Sequence, residues 1–323
     1  MELYGAPTAG KIVTVIFACL LSRHWGAGFT YQGYSVALSG DGNTAIVGGF
    51  GDNSFFGAAW VYTRSGGIWT QQAKLVSGAV YTTKFGVYQG WSVALSDNGN
   101  TAIVGGPYDN SGVGAAWVYT RSGGVWTQQG NKLVGTAEQG PAEQGWSVAL
   151  SADGNTAIVG GFGNNSNDGA AWVYTRKGSV WTQQGSMLVG TGSQSPALTA
   201  DGNSVALSGD GNTAIVGGPN DNSRAGTAWV YTRKGNVWTQ WGSKLVGIGG
   251  MGTPALGYSV ALSGDANTAF LGGPLDNSGI GAAWVFVART MADCNNGGWL
   301  NFIGPPGPFT SQGQCVSYFT KQK

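Results

Sequence analysis

One phrase governs this chain. "SVALS" begins at Ser35, Ser92, Ser147, Ser204 and Ser259, at spacings of 57, 55, 57 and 55 residues. Each copy continues into "NTAIVGG" ("NTAFLGG" in the fifth), a polar loop, "AAWVY" or a close variant, a glycine turn and, in four copies, "VWTQ" or "IWTQ". Self-similarity at about fifty residues restricts the chain to repeated supersecondary units that stack on one another. The runs are short, β-branched and aromatic, and Gly, Asn or Asp closes each of them, so they read as strands, named A to D in order. Asp41-Gly42, Asn98-Gly99, Asp153-Gly154 and Asp210-Gly211 join A to B, and such dipeptides suit two-residue hairpin turns. "AAWVY" lacks polar alternation, which predicts a strand buried on both faces. Four-stranded antiparallel units covered on both faces are blades of a β-propeller, with the small residues of "SVALS" on the crowded inner strand.

The number of blades follows from a count of strands. Five A, B and C strands are present but only four D strands, around Trp69, Trp126, Trp181 and Trp238. The expected fold is therefore all-β, a propeller of five four-stranded blades over 34–90, 91–145, 146–202, 203–257 and 258–290. An N-terminal segment, 1–33, precedes them and a tail, 291–323, follows. An open propeller leaves unpaired strand edges, so the apolar run Ile12–Leu21 is expected to supply the missing strand beside Ala282–Val287. The same run also reads as a secretion signal, and a piece of a larger propeller is a third reading.

The pattern "GWSVALS-x-DGNTAIVGGP…GAAWVY" resembles the FG-GAP repeat, the blade unit of integrin α-subunit propellers and of many bacterial surface proteins. The resemblance covers roughly residues 33–286, recurs five times, and implies a secreted or surface-displayed binding protein. Calcium-binding integrin blades carry several carboxylates at alternate positions of one loop. Here that A–B loop keeps only one or two residues, such as Asp41 or Asp153 and a Gly, so calcium is not expected, nor any other metal or cofactor. The tail from Cys294 to Cys315 resembles a cysteine-bracketed C-terminal segment of secreted bacterial proteins. On the residues alone, the pair reads as a disulfide in an oxidising compartment, as two free thiols, or as half of a metal site.

Composition excludes some classes of function. Sixteen basic residues balance fifteen acidic ones, and no basic block breaks the pattern, which argues against nucleic-acid binding. No run of eighteen apolar residues spans a bilayer. The single histidine, His24, has no carboxylate nearby in sequence, Cys19 lies in an apolar run, and the repeated serines have no base at a fixed spacing. The expectation is a protein that is not an enzyme. What remains is surface. Asp52-Asn53, Asp109-Asn110, Asn164-Asn165, Asp221-Asn222 and Asp276-Asn277 recur in the B–C loops, each followed by Ser. They read either as a multivalent ligand-binding rim for an extracellular protein or glycan, or as side chains that build their own turns. Arg64, Arg121, Arg176 and Arg233 close strand C, with Arg289 one place later in the fifth copy, either solvating the C–D turn or forming a ring that reads acidic sugars. Trp60, Trp117, Trp172, Trp229 and Trp284 are expected in the core. Trp91 and Trp146 share a column with Tyr34, Asn203 and Tyr258, and the Asn in that column implies partial exposure, as a propeller lectin requires.

Overall fold

The structure, a computed structural model, describes residues 29–77, 86–193, 200–288, 310–312 and 314. Blade one holds β1 (Ser35–Leu38), β2 (Thr44–Gly49), β3 (Ala58–Ser65) and β4 (Ile68–Leu75). Blade two holds β5 (Ser92–Leu95), β6 (Thr101–Gly106), β7 (Ala115–Ser122) and β8 (Val125–Gln128). Blade three holds β9 (Ser147–Leu150), β10 (Thr156–Gly161), β11 (Ala170–Lys177) and β12 (Val180–Gln183). Blade four holds β13 (Ser204–Leu207), β14 (Thr213–Gly218), β15 (Thr227–Lys234) and β16 (Val237–Gln240). Blade five holds β17 (Ser259–Leu262), β18 (Thr268–Gly273) and β19 (Ala282–Val287). Each sheet is antiparallel with its strands in chain order. The fold is a β-propeller arc whose A strands lie innermost, side by side from one blade to the next.

The repeat is spent on the contact between blades. Ile46, Ala59, Val61 and Leu75 of blade one pack on Val93, Ala102, Val104, Trp117 and Tyr119 of blade two. The same columns meet at the second, third and fourth interfaces. "AAWVY" is buried at all five positions in blades one to four, as its unbroken apolar run requires. Backbone bonds tie the inner ends together: Gly40 N–H donates to Asp97 O at 2.8 Å, Asp97 to Ala152 at 2.9 Å, Ala152 to Gly209 at 2.9 Å and Gly209 to Gly264 at 2.8 Å. Gly57 shows why the glycine before "AAW" is needed. At φ +80° it bridges to Gln89 of the next blade, and a Cβ there would stand 2.0 Å from the Gln89 carbonyl oxygen.

One expectation needs restating. The A–B connection is not a two-residue hairpin: β1 ends at Leu38 and β2 begins at Thr44. Gly42 alone is left-handed there, at φ +65°, and its N–H returns to Ser39 O at 2.9 Å. The Ser39 hydroxyl and Asp41 carboxylate supply the remaining bonds of this longer loop, which the dipeptide rule ignores. Among the described residues blade five has three strands, with none beyond β19. The proposed closing strand Ile12–Leu21, Cys19, His24, Arg289 and the pair Cys294 and Cys315 lie outside the described residues.

Candidate functional site

Because Ser35 pairs with Gly48, the start of each A strand and the end of each B strand share one end of the blade. The B–C loops and the residues that lead into the A strands therefore crowd the same rim. Each B–C loop is a short turn with three consecutive positive-φ residues, an Asn at φ 48–50°, a Ser at φ 56–61° and a variable third residue, Phe55, Gly112, Asn167, Arg224 or Gly279, at φ 70–94°. Asn tolerates this region better than most side chains because its amide bonds locally.

The loop's first residue has a different task. Asp52, Asp109, Asn164, Asp221 and Asp276 are buried, whereas Asn53, Asn110, Asn165, Asn222 and Asn277 are exposed. Asp52 pairs with Lys74 at 2.6 Å, Asp221 with Lys244 at 2.6 Å, and Asp109 with Lys132. Asn164 Oδ1 accepts from Gln139 N–H at 2.8 Å and Asp276 Oδ1 from Met251 N–H at 2.7 Å. Asp52, Asp109 and Asp221 thus anchor their loops to a lysine that follows the C strand, and Asn164 and Asp276 anchor theirs to the segment that leads into the blade's own A strand, while the Asn-Ser pair of every loop faces solvent. A cleft between blades four and five, lined by Asp221, Asn222, Lys244, Pro254 and Trp284, has its charges joined in the same way.

The A–B carboxylates are likewise occupied. Asp41 accepts from the Ser39 hydroxyl at 2.6 Å and from the Asn43 backbone at 2.9 Å, and these bonds hold its carboxyl down at about 2. Asp210 and Asp265 are lowered by the corresponding serine hydroxyls first, then by Asn212 and Asn267. Among the described residues no three His, Cys, Asp or Glu side chains gather as a metal would need.

The arginines do not form an open ring. Arg121 donates from Nε to Asn100 and from Nη1 to Gln72 at 3.1 Å, while its guanidinium lies 5.4 Å above the Trp126 ring. Trp126 Nε1 donates to that same Gln72 Oε1 at 2.9 Å. Gln129 holds Arg176 and Trp181 identically, and Gln184 holds Arg233 and Trp238. Each clamp sews one blade to the next. In blade four Trp241 stands where the Gln would be, and in blade five Ala288 stands where the Arg would be, so both halves are missing together.

The rim's distinguishing feature is aromatic. Tyr34, Trp91 and Trp146 follow one another around the axis with ring centroids 4.7 Å apart. Tyr34 is exposed, and Trp91 and Trp146 are partly so, as the column containing Asn203 implied. Phe50 meets Tyr34 edge-on at 4.7 Å, and stacks on Tyr88 at 5.4 Å and on Tyr31 at 4.7 Å. Phe55 stacks on Tyr88, Tyr108 meets Tyr88 edge-on, and Phe162 meets Trp146 edge-on at 4.3 Å. One continuous layer of rings covers the rim of blades one to three.

Column by column, the repeats diverge here. Tyr31, Tyr88, Glu143, Ala200 and Ala255 share a left-handed backbone, φ 51–60°, two residues before the glycine that leads into strand A. Phe50, Pro107, Phe162, Pro219 and Pro274 share another column. The core columns barely change, while these run from aromatic in the first blades to small or cyclic in the last. Glu143 sits among the rings near Tyr108, and burial pushes its carboxyl up to about 7. Sequence reasoning singled out Trp91 and Trp146 but not the layer around them. Reading the variable columns together would have found it.

No described helix is long and apolar enough to cross a membrane. No family model matches the chain, and no curated protein matches it. Among solved structures it is similar to the crystal structure of TolB from Acinetobacter baumannii, with a TM-score of 0.45 and 10% identity over 78% of this chain and 51% of that one. The chain thus spans about half the length of that protein.

Proposed function

We propose that this propeller is a non-enzymatic binding protein, secreted or displayed at a cell surface, that takes an extracellular protein or glycan on the aromatic rim of blades one to three. The observation that carries this is the contrast between columns. Five blades keep one core, yet their rims diverge, and nine aromatic side chains from Tyr31 to Phe162 collect on one arc of the face. Rings packed against one another, with Tyr31, Tyr34 and Phe55 exposed and Trp91 and Trp146 partly so, offer a large, rigid contact area at low entropic cost. The non-catalytic reading is supported by the employment of the acids, which bind their own turns or neighbouring lysines. The same employment speaks against a calcium role. The FG-GAP resemblance and the cysteine-bracketed tail support the extracellular placement.

A five-site lectin on the B–C loops is the second reading, favoured by the equivalence of the five exposed Asn-Ser turns. Stoichiometry separates the two. A glycan array and a pull-down against extracellular proteins identify a ligand, and calorimetry then counts it. The aromatic-rim reading expects one ligand per chain, with Trp91→Ala or Trp146→Ala weakening it at least tenfold, about 1.4 kcal/mol or more. Several equivalent sites, each lost with its own Asn110→Ala-type change and indifferent to Trp91→Ala, would establish the lectin instead.

A further inference from the structure

The aromatic layer changes character at blade three. Tyr34, Trp91 and Trp146 occupy one column of the rim, and the next member of that column around the axis is Asn203. In a second column Tyr31 and Tyr88 are followed by Glu143. Trp146 is thus the ring at which two polar side chains enter the layer. It is partly exposed and meets Phe162 edge-on at 4.3 Å. No other blade pairs a ring with an acid in these columns: Tyr34 follows Tyr31, Trp91 follows Tyr88, and Asn203 and Tyr258 follow Ala200 and Ala255.

Both polar groups are fixed by the backbone and leave hydrogen-bonding capacity unused. Glu143 N–H donates to Gly112 O at 2.7 Å, and Trp146 N–H donates to Glu143 O at 3.1 Å, so one turn sets the acid and the ring together. The acid's side chain runs over Gly163, where a Cβ would stand 3.2 Å from Glu143 Cγ. Glu143 Oε2 is closed off from solvent and accepts no hydrogen bond among the described residues, although the residue as a whole is partly exposed. No salt bridge among those residues reaches this carboxyl, for Lys74, Lys132 and Lys244 are given to other acids. Asn203 spends its Nδ2 on Tyr258 O at 2.8 Å, which leaves Oδ1 as an acceptor. A buried acceptor without a donor is costly, so a ligand that brings one gains what the free chain lacks.

Chemistry narrows the class of that ligand. A partly exposed ring flanked by a few convergent polar groups suits a molecule with one apolar face and a polar edge. A pyranose has this form: axial C–H bonds cover one face, and hydroxyls line its edge. Hydroxyls also suit the acid. Burial pushes the Glu143 carboxyl up to about 7, so near neutral pH it is present both with and without its proton. A hydroxyl donates to the ionised form and accepts from the protonated one, whereas a cation pairs only with the first. An acidic sugar is repelled by the ionised form. We propose that Trp146, Glu143 and Asn203 form a subsite for one neutral pyranose, the sugar stacking on the ring and donating a hydroxyl to the carboxyl. This rests on the aromatic-rim reading and makes the rim's ligand a glycan, with one site per chain.

The test titrates the full chain with the methyl glycosides of glucose, mannose, galactose and N-acetylglucosamine, by calorimetry and saturation-transfer NMR. At least one is expected to bind at a single site, with saturation concentrated on the C–H protons of one sugar face. Trp146→Ala and Glu143→Ala are each expected to weaken it about tenfold or more. Glu143→Ala is a change the repeat already carries, since Ala200 and Ala255 hold the same left-handed place at φ 55–56°. Its circular dichroism and melting transition are therefore expected to persist. The methyl glycoside of N-acetylneuraminic acid and N-acetyl-arginine amide are the charged controls, and neither is expected to bind. Binding by none of the four neutral glycosides overturns the proposal, as does full affinity in Glu143→Ala or more than one site per chain. Arginine amide bound in preference to the glycosides overturns it in favour of a basic side chain on a protein. If a protein captured by the chain is weakened by Trp91→Ala while no glycoside binds, this proposal falls and the aromatic-rim reading stands. Glycoside affinity that ignores both Trp91→Ala and Trp146→Ala brings down the two together.

Discussion

At the scale of single residues, two positions carry sharp expectations. Gly57 is left-handed and lies against the Gln89 backbone, so Gly57→Ala meets both a strained φ and a 2.0 Å approach that backbone cannot relieve cheaply. The expected loss is about 2 kcal/mol or more, read as a drop in the urea midpoint at unchanged slope. Gly66, also left-handed but with open space around its missing Cβ, is the control, and its replacement is expected to cost about 1 kcal/mol. Glu143 makes the second case. Its folded pKa lies above its unfolded one, so the folded state holds the proton more tightly and stability falls as pH rises from about 4.5 to about 7. Asp41 works in the opposite sense: its contribution is present above pH 4 and is lost as pH falls toward about 2. Thermal melts should therefore peak between these limbs. Because Glu143 is only half-buried, solvent screens it, and Glu143→Gln is expected to recover about 1 kcal/mol at pH 8 and none at pH 4. An unaltered slope between pH 4.5 and 7 in that variant would count against the assignment.

At the scale of elements, the interblade clamp shows how far a sequence can be read. The repeat made the strands, their order and their buried faces legible, because burial on both sides leaves an unbroken apolar run in the B and C strands. Arg64, Arg121, Arg176 and Arg233 were equally visible, but their partners were not. Gln72 lies 49 residues before Arg121 and in the preceding blade, and no local rule connects them. The one trace was the paired loss of the Gln at Trp241 and the Arg at Ala288. The B–C loops posed the same difficulty: the motif was plain, yet the lysine that buries its acid stands 22 or 23 residues downstream. Gln129→Ala strips a partner from both Arg176 and Trp181 and is expected to cost about 1–2 kcal/mol. Trp241→Ala, at the exposed position where no arginine waits, is expected to stay within about 0.5 kcal/mol in the same denaturant titration. Equal losses at the two positions would show that the clamp contributes nothing beyond packing.

At the scale of the whole molecule, a stack in which each blade touches only its neighbours has a stability that is nearly a sum of nearest-neighbour terms. The middle blades hold two such interfaces and the end blades one. Local opening should therefore be graded along the chain instead of uniform. Hydrogen exchange tests this. Amides of β6, β10 and β14 are expected to exchange slowest, since their strands are paired on both sides and buried on both faces. Those of β18 and β19 are expected to exchange fastest among the strands, because Phe270 and Val285 face solvent and no described strand lies beyond β19. Blade one should fall between, for it has its fourth strand and buries Trp60 and Tyr62, but Val36 and Leu38 face solvent. Protection of β18 and β19 equal to that of β10 in the single chain would mean instead that the chain covers its own last blade, and stability would then be shared around the stack.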